Sequence, residues 1–457
     1  MIKIKIKSWL FIVCLLFVLF VLIFSLDFYF LHRLSVQEKR IIQIKQANKY
    51  TDFLETAQKS HFNLSFLFNI SRKIEQIHPA FINQNPHHLS IRRKLVKSFK
   101  PVPFEHVEDV WRLAISWPLD NEIYPENVDD SMGQLLHALQ VAGIQKTFNS
   151  QRGTQLKLVL RLDGGQQVLW KPGWYTRDTK IEGPVYSGKD RHNSEIISFY
   201  LGAIFNLRWT PIVAGRRINM KEVYEKADTV LKETMLIKGE HENLKILRKL
   251  FIKFLILDEQ YCVYGKCHYC NISELICGDK ISHLAEGAVL FLIPGQLQKH
   301  ISPWQRTYKP HKKALWESDS HYCGPLRKKF SLERLLDMID VAIFDYLIQN
   351  GDRHRHESRN NRLVLVDNGK GFGNPHIDHL DILAPLYQCC MIRKSTYDRM
   401  LLFTGGSLTD TLKELTKEDP LDPLLTDEHY IAMEKRLLTV FVTVQLCQDK
   451  FGKEIFK

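Results

Sequence analysis

Asp352 and Asp367 stand fifteen positions apart, on either side of a short apolar run that ends at Leu363-Val-Leu-Val366. A helix, an acidic loop, a strand and an acidic turn, in that order, can fold two carboxylates toward one cleft. Upstream, Lys171 closes a strand-like run and Glu195 lies in the first turn of the next expected helix. Phosphoryl transfer needs such a set: a lysine on the nucleotide phosphates, a carboxylate on a divalent metal, and a carboxylate that orients the acceptor hydroxyl. The roles expected are base for Asp352 and metal ligand for Asp367. Singly each residue has a blander use. A strand lysine can be a solvated face, Asp352 can pair with Arg353, Glu195 can favour a helix dipole, and Asp367-Asn368-Gly369 can be an ordinary turn.

The elements that must position these groups are readable from periodicity. Thr154–Arg161 and Gln166–Lys171 read as strands flanking an Asp163-Gly164-Gly165 turn, with a lysine, Lys157 or Lys171, on each. Asn193 is expected to cap a helix carrying Ile196, Ile197, Tyr200, Leu201 and Ile204. Ser331–Asn350 reads as a long helix ended by Gly351, and Asp129–Ala142 as another ended by Gly143. No Gly-x-Gly-x-x-Gly loop, His-Arg-Asp or Asp-Phe-Gly string is present, which speaks against an ordinary cytosolic protein kinase. No Asp-x-Asp string speaks for a glycosyltransferase.

The formal charge of +12 is unevenly spread: residues 1–100 carry 16 Lys/Arg against 5 Asp/Glu, leaving 47 against 46 in the rest. The excess belongs to an anchor and stem, so no nucleic-acid partner is expected. Lys3, Lys5 and Lys7 precede an apolar run over residues 9–31, long enough to span a bilayer and without an Ala-x-Ala cleavage site. The expected layout is a cytosolic tail (1–8), a signal-anchor transmembrane helix (9–31), a lumenal stem (32–105) and a lumenal catalytic domain (106–457). The small lobe would cover about 106–230 and the large lobe about 231–457. Of nine cysteines, Cys14 falls in the span and eight lie beyond it, an even number that suits an oxidising lumen. Cys389 and Cys390 are adjacent and cannot easily bond each other, so each reaches a distant partner, with Cys323 and Cys447 available. Cys267-His-Tyr-Cys270 also has the spacing of a zinc site. Asn63, Asn69 and Asn271 open Asn-x-Ser sequons.

Several strings together resemble a known family. They are Gly153-Thr-Gln-Leu-Lys157, Lys171-Pro172, Asp190-Arg-His-Asn193 with Glu195, Cys262-Val-Tyr-Gly-Lys-Cys267, Pro303-Trp304, Asp352-Arg-His354, Asp367-Asn-Gly369 with Gly371-Phe-Gly373, and Gln388-Cys-Cys390. The chain is similar, from about Trp111 to Cys447, to the secretory-pathway lumenal kinases that include Golgi casein kinase and glycosaminoglycan xylosylkinase. Tyr175-Thr-Arg-Asp178, Ile382-Leu-Ala-Pro-Leu-Tyr-Gln388 and Asp419-Pro420 resemble the xylosylkinase branch more closely. The resemblance implies an α+β, atypical two-lobed kinase-like fold with a disulfide-stapled large lobe. It also implies transfer of the ATP γ-phosphate, with Mn2+ or Mg2+, to the 2-hydroxyl of xylose in the glycosaminoglycan–protein linkage region of proteoglycans, in the Golgi lumen. The alternatives are a secretory-pathway Ser protein kinase and a pseudokinase that activates a relative. Carried over, Lys157, Lys171 and Glu195 would serve ATP binding, Asp367 and Glu195 the metal, and Asp352 would be the base. The implied disulfides are Cys262–Cys277, Cys267–Cys270, Cys323–Cys389 and Cys390–Cys447. Trp304, Arg306, His354 and the Lys180–Lys189 loop are candidate acceptor contacts. Two departures stand out: Gly351 replaces a larger residue before Asp352 and is expected to loosen that loop, and Trp170 replaces a phenylalanine.

Overall fold

A computed structural model describes residues 18–26 and 69–457, apart from 71, 75, 119–121, 151–152, 239–259, 310–311 and 361. The expected membrane span falls mostly outside the described residues, as does Asn63. Among the described residues no helix is long and apolar enough to cross a membrane.

Among the described residues, the helices of ten residues or more are α1 (His88–Phe99), α2 (Val107–Ser116), α3 (Ser131–Val141), α4 (His192–Ile204), α5 (Leu332–Ile348), α6 (Ser407–Thr416) and α7 (Asp427–Phe451). One sheet joins β1 (Ile144–Asn149), β2 (Leu158–Leu162), β3 (Gln167–Pro172), β4 (Val213–Asn219) and β8 (Leu284–Phe291) in the order β1-β2-β3-β8-β4, with every pairing antiparallel. β5 (Met235–Lys238), β6 (Gln260–Val263) and β7 (Ile276–Cys277) form a second sheet. A third contains β9 (Gln298–Ile301), β10 (Arg355–Arg359) and β11 (Arg362–Val364).

The hairpin forms as its pattern requires. Asp163, Gly164 and Gly165 make the turn, with φ of 76° and 83° at the two glycines, which a side chain would strain. Trp111 of α2 donates its indole N–H to the Asp163 carbonyl at 2.8 Å. β3 thus runs in the middle of the large sheet, and its last residues are buried. Antiparallel pairing sets Lys171 opposite Ala288 of β8.

α5 departs from a simple amphipathic stripe, because everything from Leu335 to Ile348 is buried. Ser331 caps it, its Oγ accepting the Arg334 N–H at 3.3 Å. Burial of Asp337, Asp340 and Asp345 along it is tolerable only with partners. Arg393 binds Asp337 at 2.7 Å and Asp340 at 3.0 Å, and Arg353 binds Asp345. The helix ends at Ile348, three residues before Gly351: Gln349 takes the left-handed conformation (φ 59°) and its N–H closes onto the Asp345 and Tyr346 carbonyls. Asn193 does not cap α4 either. The cap position belongs to Arg191, and the buried Asn193 amide instead donates to the Leu424 carbonyl at 2.8 Å.

Within the stretch expected to be stem, α1 packs on the folded body. Arg92 pairs with Glu414 of α6 at 2.9 Å, and Phe99 stacks on Phe199 of α4 with ring centroids 5.4 Å apart. The structure contains disulfides Cys262–Cys277, Cys267–Cys270, Cys323–Cys389 and Cys390–Cys447. The zinc alternative at Cys267-His-Tyr-Cys270 is therefore set aside, because both sulfurs are used in a disulfide. Cys390–Cys447 ties α7 to a helix 57 positions earlier. Replacing both cysteines by Ser removes this restraint on the unfolded chain, and stability measured by chemical denaturation should fall by about 2–4 kcal/mol.

Candidate active site

Lys171 is the centre of the site. Its side chain is 5% exposed, and its ammonium lies 2.5 Å from Glu195 Oε1, 2.7 Å from Asp367 Oδ1 and 3.5 Å from Asp190 Oδ2. Burial alone would strip the charge from such a lysine. Asp367, Glu195 and Asp190 outweigh it and hold the ammonium well above the usual lysine range. In return Lys171, with Lys157 in support, holds Asp367 far below the usual carboxylate range. Lys157 stands just ahead of β2 and is half-buried; burial first, and the neighbouring Lys171 second, push its pKa down.

The segments that carry these groups are laced together by main-chain contacts. Arg191 donates its backbone N–H to the Gly369 carbonyl at 2.7 Å, and its side chain donates to the Gly371 and Lys370 carbonyls. Ser194 Oγ donates to the Asn368 carbonyl at 2.6 Å. The entry of α4 is thus held against the Asp367-Asn-Gly turn, where Asp367 itself is left-handed (φ 61°). Gly369 is required by the approach of Asp190, whose Cβ would lie 2.7 Å from an added methyl.

Asp352 sits on the facing loop. Its Oδ1 accepts the Tyr308 hydroxyl at 2.5 Å, and its carbonyl accepts the His354 N–H at 2.7 Å. Arg353 does not pair with it. The guanidinium turns inward, binding both Asp345 oxygens at 2.6 and 2.8 Å, the Val366 carbonyl at 2.6 Å and Asn368 Oδ1 at 2.6 Å. One buried cation therefore fixes the Asp352 loop, the end of α5 and the Asp367 turn relative to one another. Asn350 adds a bond to the Asp367 carbonyl at 3.4 Å and another to the Asp352 N–H at 3.3 Å.

Beside Asp352 opens a cleft lined by Trp304, Arg306, Tyr308, His354 and Asp381, among others. Arg306 is paired with Asp381. Trp304 is almost wholly buried, and its indole N–H is bound to Gln388 Oε1 at 2.8 Å, so it serves as a wall. Lys180 and Lys189, at the ends of their loop, are engaged by Glu428 and Glu274. Trp170, on β3, is fully buried. Asn271 is exposed beside its disulfide, and Asn69 is half-buried.

The site also fits a hard divalent cation. Glu195 Oε2 is buried with no hydrogen-bond partner, and the Asp367 side chain is 69% exposed toward solvent. Among the described residues no cluster of three or more His, Cys, Asp or Glu could hold a metal unaided. One or two carboxylates completed by phosphate oxygens is the usual arrangement for Mg2+ at nucleotide sites.

Three partners escaped the sequence reading: Asp190 as a third carboxylate, Asp345 as the anchor of Arg353, and Tyr308. Asp190, five residues ahead of Glu195, was within reach of inspection. Tyr308 lies 44 positions from Asp352 and carries no signal in the sequence.

Residues 109–455 match the family described as Golgi casein kinase, C-terminal, Fam20, and the chain belongs to that family. It is 48% identical over 414 residues to the Drosophila melanogaster glycosaminoglycan xylosylkinase homolog, covering 90% of this chain and 94% of that one. It is 40% identical over 358 residues to Homo sapiens glycosaminoglycan xylosylkinase, covering 76% and 82%. The solved structure of the Golgi casein kinase with Mn/ADP bound is similar at a TM-score of 0.68 and 30% identity, over 81% of this chain and 90% of that one.

Gly351 has a tertiary reason. A methyl there would lie 2.1 Å from Val185 Cγ1, so the residue clamps the Lys180–Lys189 loop against the Asp352 loop and does not loosen it. Gly351→Ala should cost about 1–3 kcal/mol by overpacking. Adding Val185→Ala should recover much of that loss, as read in a double-mutant cycle of denaturation midpoints.

Proposed function

We propose that the protein is an ATP-dependent kinase that phosphorylates the 2-hydroxyl of xylose in the glycosaminoglycan–protein linkage region of proteoglycans. The observation that carries the reading is the ammonium of Lys171, held by Glu195 and Asp367, together with the buried Arg353 that ties the loop bearing Asp352 to the turn bearing Asp367. The higher identity to relatives named xylosylkinase supports a sugar acceptor.

In this reading Lys171 and Lys157 hold the nucleotide phosphates. Glu195 orients Lys171, and Asp367 with Glu195 holds Mn2+ or Mg2+, which when bound neutralises charge on the phosphates. Asp352 takes the proton from the acceptor hydroxyl. As the acceptor oxygen bonds to the γ-phosphorus, the bond to the bridging oxygen breaks and ADP leaves with the electron pair. Arg353 keeps the two carboxylate-bearing loops in register while this happens.

The same reading anchors the chain in the Golgi membrane through residues 9–31, with the catalytic domain lumenal. The disulfides and the sequons at Asn63, Asn69 and Asn271 are consistent with that compartment. The second reading, a secretory Ser protein kinase, is favoured by the likeness to Golgi casein kinase.

Labelled ATP should deliver phosphate to a galactosyl-xylose glycoside and not to an acidic serine peptide; label in the peptide alone would reverse the two readings. Asp352→Ala should lower the rate by about 10²–10⁴-fold while secretion of the protein is unchanged. Retained activity would remove Asp352 from the role of base.

A further inference from the structure

The Asp352 carboxylate is unequally engaged. Oδ1 receives the Tyr308 hydroxyl at 2.5 Å, with His354 Nδ1 at 3.8 Å from the same atom. Oδ2 has no hydrogen-bond partner among the described residues, and the side chain is 28% exposed. Burial first, then the bond to Asp352, raise the Tyr308 pKa, so the phenol stays protonated and can only donate here. A short bond from a neutral donor to a carboxylate is stronger than one between neutral groups and directional.

Tyr308 is itself braced. Its backbone is left-handed (φ 54°), and the preceding Thr307 donates its hydroxyl to the Lys312 carbonyl. The Tyr186 ring, from the Lys180–Lys189 loop, packs edge-on against it with centroids 4.8 Å apart. The His354 ring stands edge-on from the other side at 6.1 Å. Tyr308 also follows closely on Trp304 and Arg306, which are tied to Gln388 and Asp381 in the walls of the cleft.

We infer that Tyr308 is a positioning residue for the phosphoryl transfer. Its hydroxyl pins Oδ1 so that Oδ2 alone faces the acceptor, and Tyr186 holds the phenol in place. The inference rests on the reading of Asp352 as the base. When the acceptor oxygen attacks the γ-phosphorus and ADP departs, the acceptor proton goes to Oδ2, while the phenol keeps its own proton throughout. A base free to rotate about its side-chain torsions would spend much of its time misaligned, and a misplacement of about 1 Å can cost on the order of 100-fold in rate.

The test uses the full chain, ATP and the galactosyl-xylose glycoside. Tyr308→Phe keeps the ring and loses the hydroxyl. We expect kcat to fall by roughly 10- to 100-fold, with KM for ATP and for the glycoside within about twofold of the parent and the thermal midpoint unchanged. An unchanged kcat overturns the inference. So does a lower KM for the glycoside at constant kcat, which would mean that the phenol only fills the acceptor's place. Should Tyr308→Phe fail to fold, Tyr186→Ala carries the test: it should lower kcat at constant KM, Tyr186→Phe, which keeps the ring, should recover most of that loss, and equal rates for the two would overturn the inference. Asp352→Ala in the same assay separates the premises. If it is active the base reading fails; if it is inactive while Tyr308→Phe is normal, only the role of Tyr308 fails.

Discussion

Everything at this site depends on the ammonium of Lys171 being buried among three carboxylates. Breaking a buried ion pair by removing one partner typically costs about 3–5 kcal/mol, because the remaining charge is left uncompensated. That penalty makes the cluster self-enforcing. β3 supplies Lys171, α4 supplies Glu195, the segment before α4 supplies Asp190, and the turn after β11 supplies Asp367. Any displacement of these elements strands a charge, so the sheet, the helix and the turn are held to one geometry.

Arg353 repeats the device at the loop that carries Asp352. It reaches Asp345 on α5, the Val366 carbonyl and Asn368 at once. The acidic positions of α5 therefore have a purpose that its apolar stripe conceals. Asp337 and Asp340 draw in Arg393, Asp345 draws in Arg353, and the helix becomes the frame from which the Asp352 loop hangs. Burial raises the Asp340 carboxyl to about 6 and raises the Asp345 carboxyl as well, with arginine opposing in both cases. These acids are structural anchors that carry part of the desolvation cost of the site.

The two halves meet where chain segments pass within van der Waals distance of one another. Gly351 lies against Val185, Gly369 against Asp190, and Gly371 against Ser194. A family member with a larger residue at 351 would need a different path for the Lys180–Lys189 loop. Since that loop also supplies Tyr186, the residue before Asp352 bears on the packing around Tyr308 as well.

The order of elements, the hairpin and its Asp-Gly-Gly turn, the long helix before Asp352 and the pairing of a strand lysine with a helix glutamate were legible in the residues, because each rests on local periodicity or turn chemistry. The adjacency of Cys389 and Cys390 likewise forced two separate partners. Local rules misled at the helix ends: Asn193 was drawn into a long-range bond to Leu424, and Gln349 took the left-handed position ahead of Gly351. What only the tertiary structure decided is which charges face each other. Arg353, next to Asp352 in sequence, turns to Asp345, and Tyr308, 44 positions away, takes the place beside Asp352. The reason is physical: periodicity records which side of an element is buried, whereas partners for buried charge are chosen among segments that only folding brings together.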